Sequence, residues 1–430
     1  MDQHIEKTVG TDVATTEDAK TMIDTGIRLS PEEDRRILRK LDLWASSILT
    51  LGHSLVWGAI LMITAVCHDA AGLLTTRFFL GVAESAIAPG LTILISMFYK
   101  KSEQPLRHAA WFLGNTCAGV FGGLLNYGIG HVGSIAPWKK PPFLILGSIT
   151  VAWSCANFFL LPDEPSNAHF FNKTDREKVI IRVQENLTGT KSNELKWYQV
   201  RGALLDISTW FLVLIQLSSS TPNGGFRSII LHGIGFSTFN TLLLQCVPYL
   251  VQFVLVVLCT GGSSYLKNTR TYWMMLTFAI TLVGAALVRQ LPEPDKWGRY
   301  VGTCLMGANS AAFPLLMSLM SGNVGGFTKK TTVNAIRFIA YCAGNIIGPQ
   351  LFFQREAPSY SFGFAALIFC QTTCFFPCLG MRFYLMWVNN MRDRHDDSTE
   401  MAGEENMQVQ AVMAMMDKTD KEIGSFRYVY

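Results

Sequence analysis

Two ionisable residues, Arg77 and Glu84, stand inside the apolar stretch LLTTRFFLGVAESAIAPG (residues 73–90). A charge at the centre of a bilayer costs about 2.5–3.5 kcal/mol on insertion scales, so such a group faces a cavity, a partner or an ion path. Seven residues are two helical turns, which puts both side chains on one face, about 10 Å apart along the axis. That is too far for a direct bond and suits two groups lining one path. Proton affinity of a carboxyl depends on burial and on nearby cations, so Glu84 is the candidate for proton coupling and Arg77 the residue that tunes it. Arg337, in the stretch 333–353, is a fixed cation that suits an anionic substrate. Asn309, Asn334, Asn345 and Asn115 are neutral polar groups that could line the same path, as could Asn126, Tyr127 and Gln216. Each has a plainer use. The arginines could anchor at the membrane surface, Glu84 could hold a structural hydrogen bond, and amides inside membranes often join helices.

The elements that would position these groups are apolar. Of 430 residues, 49% are hydrophobic and 16% charged, where a soluble domain has roughly 25% charged. The net charge of +4 sits in short clusters, which excludes a nucleic-acid footprint. Ten cysteines are scattered without zinc-site spacing; Cys370, Cys374 and Cys378 form an i, i+4 stripe that reads as helix packing. No metal or cofactor is expected. Neither a GxxxxGK[ST] phosphate loop nor GxSxG nor HExxH is present, so the chain is expected to be no enzyme and to hold no ATP motor. The isolated histidines, His108 among them, read as loop or interfacial residues.

Ten stretches have membrane length, about 20 mostly apolar residues each: 46–66, 78–99, 108–130, 142–161, 207–222, 239–260, 271–290, 300–321, 333–353 and 363–387. The first 43 residues lack an apolar run, so no cleavable signal peptide is expected. With the N-terminus inside, the inside loops 99–108, 162–206, 262–270 and 322–332 hold 14 Lys and Arg, well above the outside loops. The expected organisation is a cytoplasmic tail (1–43), a membrane half of four helices (44–161), a cytoplasmic central loop (162–206), a membrane half of six helices (207–390) and a polar, disordered cytoplasmic tail (391–430). The sequon Asn186-Leu-Thr188 falls on the cytoplasmic side of this map.

CAGVFGG (117–123) returns as CAGNIIG (342–348), 225 residues later. The same shift carries Glu84-Ser85-Ala86 onto Asn309-Ser310-Ala311 and Pro89 onto Pro314. It also aligns further spans, so the halves read as a parallel duplication, a transporter plan with its site between the halves near the midplane. Gly119/Gly123 and Gly344/Gly348 are small-xxx-small pairs that let helices pack closely. Under the same shift the spans 207–222 and 239–260 have no apolar counterpart, which predicts an all-α membrane protein of 4 + 6 helices from a 6 + 6 plan.

LLTTRFFLGVAESAIAPG also resembles the fourth helix of major facilitator superfamily transporters, in which an Arg is followed four residues later by Gly; here these are Arg77 and Gly81. FGGLLNYGI (121–129), LPDEPSNA (161–168), PNGGF (222–226), HGIGFSTFNTLLLQ (232–245), GFTKKTTVNAI (326–336), GNIIGPQLF (344–352) and APSY (357–360) resemble the fungal allantoate permease group, the anion:cation symporters. The resemblance implies the major facilitator fold, alternating access and proton-coupled uptake of a small organic anion such as allantoate, nicotinate or pantothenate. It also implies a monomer in a lipid bilayer, in the plasma membrane, with Gly81 among the packing glycines. SPEEDRRILRKLDLW (30–44) resembles the segment before the family's first helix, and the residues after it already resemble the third. The other readings are an exporter of a fungal secondary metabolite and an inactive or regulatory membrane fragment.

Overall fold

The computed structural model describes residues 30–48, 53–85, 87–131, 141–160, 194–221, 238–292, 294–356, 360–397 and 417–430, with 172, 175, 178 and 179 between them. The sequon at 186–188 and most of the central loop lie outside these residues. Among the described residues every regular element is helical.

Ser30 opens α1 (Pro31–Ile48) with a reciprocal cap: its hydroxyl accepts from the Glu33 N–H at 3.2 Å, and Glu33 Oε2 accepts from the Ser30 N–H at 3.1 Å. Then follow α2 (His53–Thr64), α3 (Ala70–Glu84), α4 (Ile87–Phe98), α5 (Gln104–His131) and α6 (Pro141–Leu160). The second half holds α7 (Trp197–Leu204), α8 (Ile207–Ser220), α9 (Thr238–Leu244), α10 (Cys246–Tyr265), α11 (Arg270–Gln290) and α12 (Lys296–Met306). A 3-10 turn (Gly307–Ala311) leads into α13 (Ala312–Asn323), followed by α14 (Phe327–Gln350) and α15 (Ser361–Asp397).

Each expected span falls on a helix or a helix pair. Five are long and apolar enough by themselves to cross a membrane, namely Ala70–Phe98, Cys246–Tyr265, Arg270–Gln290, Lys296–Asn323 and Ser361–Arg394; α7 and α8, bent by 63°, make a sixth if taken together. The first span begins later than expected, because α1 continues through Ile48 and α2 starts at His53. As an amphipathic helix, α1 lies across the end of α4 and buries Ile37 and Leu41 against Leu91, Ile95, Phe98 and Tyr99. Arg107 grips Asp42 through two bonds of 3.1 and 2.6 Å.

The duplication is written in the backbone. Ile87–Phe98, shifted by 225, lands on Ala312–Asn323, so α4 and α13 share both length and boundaries. Pro89 and Pro314 cause the break that precedes each of them. A proline ring clashes with the carbonyl four residues back, Ser85 or Ser310, while its missing N–H goes unfelt in a helix's first turn. Packing repeats as well: α2 lies on α6 and α3 as α11 lies on α15 and α12. The two halves meet along α5 and α10, where Gln252 donates to Thr116 at 3.1 Å. The largest apolar core belongs to the second half and includes Met274, Leu315, Leu319, Met320, Cys374 and Cys378.

The expectation of a disordered tail from 391 does not hold for residues 391–397 and 417–430; residues 398–416 lie outside the described residues. Helix α15 continues to Asp397, and residues 417–430 fold back across the end of the bundle. Ile423, Phe426 and Tyr428, apolar residues hidden in a polar average, are buried in the second half's core.

Candidate functional site

Lys330, Asn334, Arg337 and Tyr341 recur at spacings of four, three and four, and so share one face of α14. Glycine lets this helix lie close against α8. A Cβ on Gly344 would stand 2.6 Å from the Leu217 carbonyl, and one on Gly348 would collide with the Thr221 carbonyl. That approach brings Gln216 of α8 to the guanidinium of Arg337, which donates to Gln216 Oε1 at 2.5 Å and to Asn334 Oδ1 at 3.2 Å. Gln216 in turn donates to Ser220 Oγ at 2.8 Å. Asn334 reaches into the first half and donates to the Pro89 carbonyl at 2.9 Å. The break before α13 presents Asn309, which donates to the Ser219 carbonyl at 2.7 Å and accepts from Gln371 of α15 at 3.2 Å.

Arg337 is fully buried. Its Nε and the Oε1 of Gln371 are buried without a hydrogen-bond partner among the described residues. Every described contact of the guanidinium is neutral: two amides and the ring of Phe313, 5.7 Å from its centroid. A charge desolvated beside neutral groups alone is costly, and an incoming anion would relieve that cost.

Of the residues singled out in the sequence, the structure joins Arg337, Asn334 and Asn309 in one cluster around α8. Asn345 is apart, donating to the carbonyl of Tyr341 one turn back in its own helix at 2.8 Å. Asn115 sits on the exposed face of α5; its neighbour Thr116 is the residue that meets the other half. Arg77 and Glu84 are both exposed on α3, and Glu84 acts electrostatically on Tyr341 and Cys342 at the far end of the α14 stripe. Gly81 packs nothing, since a Cβ there would meet no atom within 4 Å. A Cβ on Gly119, by contrast, would stand 2.6 Å from the ring of Tyr249 in α10. Gly123 is half-buried beside it.

Sequence reasoning missed Gln371, Ser219 and Ser220, and gave Gln216 no more weight than its neighbours. A glutamine alone in an apolar stretch was the signal for Gln371. His108 is not interfacial: it is buried at the seam, 3.5 Å from Ser321 of the other half, which also donates to Gln104 at 2.6 Å. Lys329 and Lys330, expected in the inside loop 322–332, are buried in the first turn of α14. Lys329 is held there by Asp206 and Asp420, both at 2.7 Å, and Lys330 by Ser96 at 3.2 Å.

The model of the Major Facilitator Superfamily matches residues 39–349. An uncharacterized transporter of Schizosaccharomyces pombe is 35% identical over 381 residues, 87% of this chain and 70% of its own. The allantoate permease of Saccharomyces cerevisiae is 31% identical over 388 residues, 87% of this chain and 70% of its own. Among solved structures, the transporter FucP in the outward conformation superposes with a TM-score of 0.55 at 12% identity, covering 83% of this chain and 92% of its own, a likeness of fold. The break before α4 and α13, the parallel repeat and the polar cluster of the second half are therefore those of a multi-pass membrane transporter and not of an enzyme, and the chain belongs to the Major Facilitator Superfamily, among fungal transporters that include the allantoate permease.

Proposed function

We propose that this transporter takes up a small organic anion together with protons, by alternating access, with Arg337 as the cation that receives the substrate. One observation carries this reading: a fully buried guanidinium whose described partners are all neutral. Asn309, Asn334, Gln216 and Gln371 would supply hydrogen bonds around a carboxylate or ureide, with Asn115 and Asn345 further along the path. The permease of allantoate, a ureide carboxylate, supports that substrate class. Glu84 is the proposed proton carrier, since its carboxylate acts electrostatically on Tyr341, the last residue of the stripe that holds Arg337, with Arg77 two turns away on α3.

The test is uptake of radiolabelled allantoate, nicotinate and pantothenate in a fungal host, with and without an inward proton gradient. A saturable, gradient-driven signal that vanishes in Arg337→Gln, with the variant present at the plasma membrane in equal amount, is the expected result. Full uptake by Arg337→Gln removes Arg337 as the substrate cation. Residence in an internal membrane removes the plasma-membrane assignment.

A further inference from the structure

The 225-residue shift pairs two turns at the end of the bundle that carries α1. Lys100-Lys101 follows α4, and Gly325-Gly326 follows α13. Both glycines are built to receive something. Gly326 has φ +84, a backbone that L side chains rarely adopt, and a Cβ there would stand 2.8 Å from Gln199 Oε1. A Cβ on Gly325 would stand 2.6 Å from the backbone of Asp420. What fills that notch is the C-terminal segment 417–430.

The segment is rooted in the second half. Asp420 Oδ1 accepts from Lys329 Nζ at 2.7 Å and from the Gly325 N–H at 3.1 Å, while its Oδ2 accepts from the Tyr428 hydroxyl at 2.7 Å. Asn323 and the backbone of Val429 exchange two bonds of 2.7 Å, and Arg270 N–H donates to the Tyr430 carbonyl at 3.2 Å. Arg392 holds the Asp420 carbonyl at 2.9 Å. On the first half the segment meets Lys101. Lys101 Nζ lies over the Phe426 ring, 3.5 Å from its centroid, and donates to the Arg427 carbonyl at 3.4 Å. The Lys101 carbonyl accepts from Arg270, so the same residue touches both the segment and α11.

The halves are closed against each other here. Gln104 meets Ser321, Lys330 meets Ser96 and Asn334 meets the Pro89 carbonyl, all across the seam. Opening this end separates α4 and α5 from α13 and α14. A segment bound on one side by a buried ion pair and on the other by the ring contact and hydrogen bond of Lys101 stays with the second half and releases the first.

We propose that residues 417–430 form a latch that holds this end of the transporter closed, docking through Phe426 onto Lys101 across the seam. The proposal rests on the alternating-access reading above. Lys101 is a poised contact, because burial, helped by the nearby charges of Lys330 and Arg270, pulls its amine down to about 7.

The experiment uses the full chain with spin labels on cysteines replacing the exposed Ser102 and Lys267, on opposite sides of the seam, and reads the distance distribution in lipid nanodiscs. Phe426→Leu keeps an apolar side chain in the core and removes the ring, and should raise the ratio of long to short distances roughly three- to fivefold, the worth of one cation–π contact. Removing 417–430 should raise it further, and Lys101→Met, which removes the cation under the ring, should raise it about as much as Phe426→Leu. Unchanged ratios in Phe426→Leu and in the truncated chain overturn the latch; if the truncated chain fails to insert, Phe426→Leu decides alone. A parent protein that gives one distance with and without each of the three carboxylates at saturating concentration overturns alternating access itself, a result distinct from exchange that ignores the latch.

Discussion

Glu84 and Asn309 occupy the same place in two copies of one motif, yet they live in different surroundings. Both stand at a helix break set by a proline five residues on, Pro89 or Pro314, before helices of identical length. Asn309 is buried and bonded to Ser219 and Gln371. Glu84 is exposed and acts on Tyr341 and Cys342 through its field. The second copy uses the break as a fixed joint between α8, α13 and α15, and the first leaves it open. Duplication preserved the backbone device and released the side chain.

The sharpest way to break this comparison is at Arg337, which lies next to the joint. Arg337→Gln should cut uptake by roughly 30- to 150-fold, the loss of about 2–3 kcal/mol of charge-assisted hydrogen bonding, measured as initial rate at low substrate. A variant within threefold of the parent would place the anion elsewhere.

The paired positions come next. Asn309→Leu strands the Ser219 carbonyl and Gln371 and should cost about 1–3 kcal/mol, read as a lower Tm in detergent. Glu84→Gln should leave Tm unchanged and abolish gradient-driven accumulation, while substrate exchange at equal pH persists. A Tm loss in Glu84→Gln as large as that in Asn309→Leu would mean that the two copies do the same structural job.

Glycines give a smaller contrast. Gly348→Ala pushes a methyl into the Thr221 carbonyl and should destabilise by about 1–3 kcal/mol, whereas Gly81→Ala, with open space around it, should be neutral or stabilise by up to about 1 kcal/mol. Equal effects would contradict the close approach of α14 to α8.

The smallest expected effect is a slope with pH, since Lys101 is only part-buried and water screens its shift. Lys101 has its amine pulled down to about 7 by burial and by Lys330 and Arg270, against about 10.4 in an unfolded chain. The folded protein therefore binds fewer protons between those values, so its stability rises as pH climbs from about 7 toward 10 and is flat, for this group, below 7. Tm measured from pH 6.5 to 9 should show the rise, and Lys101→Met should flatten it.

How much could be read beforehand differs by element. The helices, the 225-residue repeat and the pairing of Pro89 with Pro314 were legible, since apolar length and local stereochemistry act along the chain. Arg337, Asn334 and Asn309 were legible as candidates, because a polar group in an apolar stretch needs a reason. Gln371 and Ser219 were not legible as their partners. Which face of a helix meets which neighbour depends on close approaches such as that of Gly348 to α8, and these join residues more than a hundred positions apart.

The sequence by itself determined a helical membrane bundle in two related halves, because bilayer thickness and the geometry of proline and glycine act on local stretches. Only the tertiary structure decided that Arg337 is buried among neutral partners and that Lys329 is an ion-paired core residue. It alone also showed that the polar-looking C-terminus folds under the seam. Those outcomes depend on which groups are desolvated together, and desolvation is a property of the packed assembly rather than of any segment of the chain.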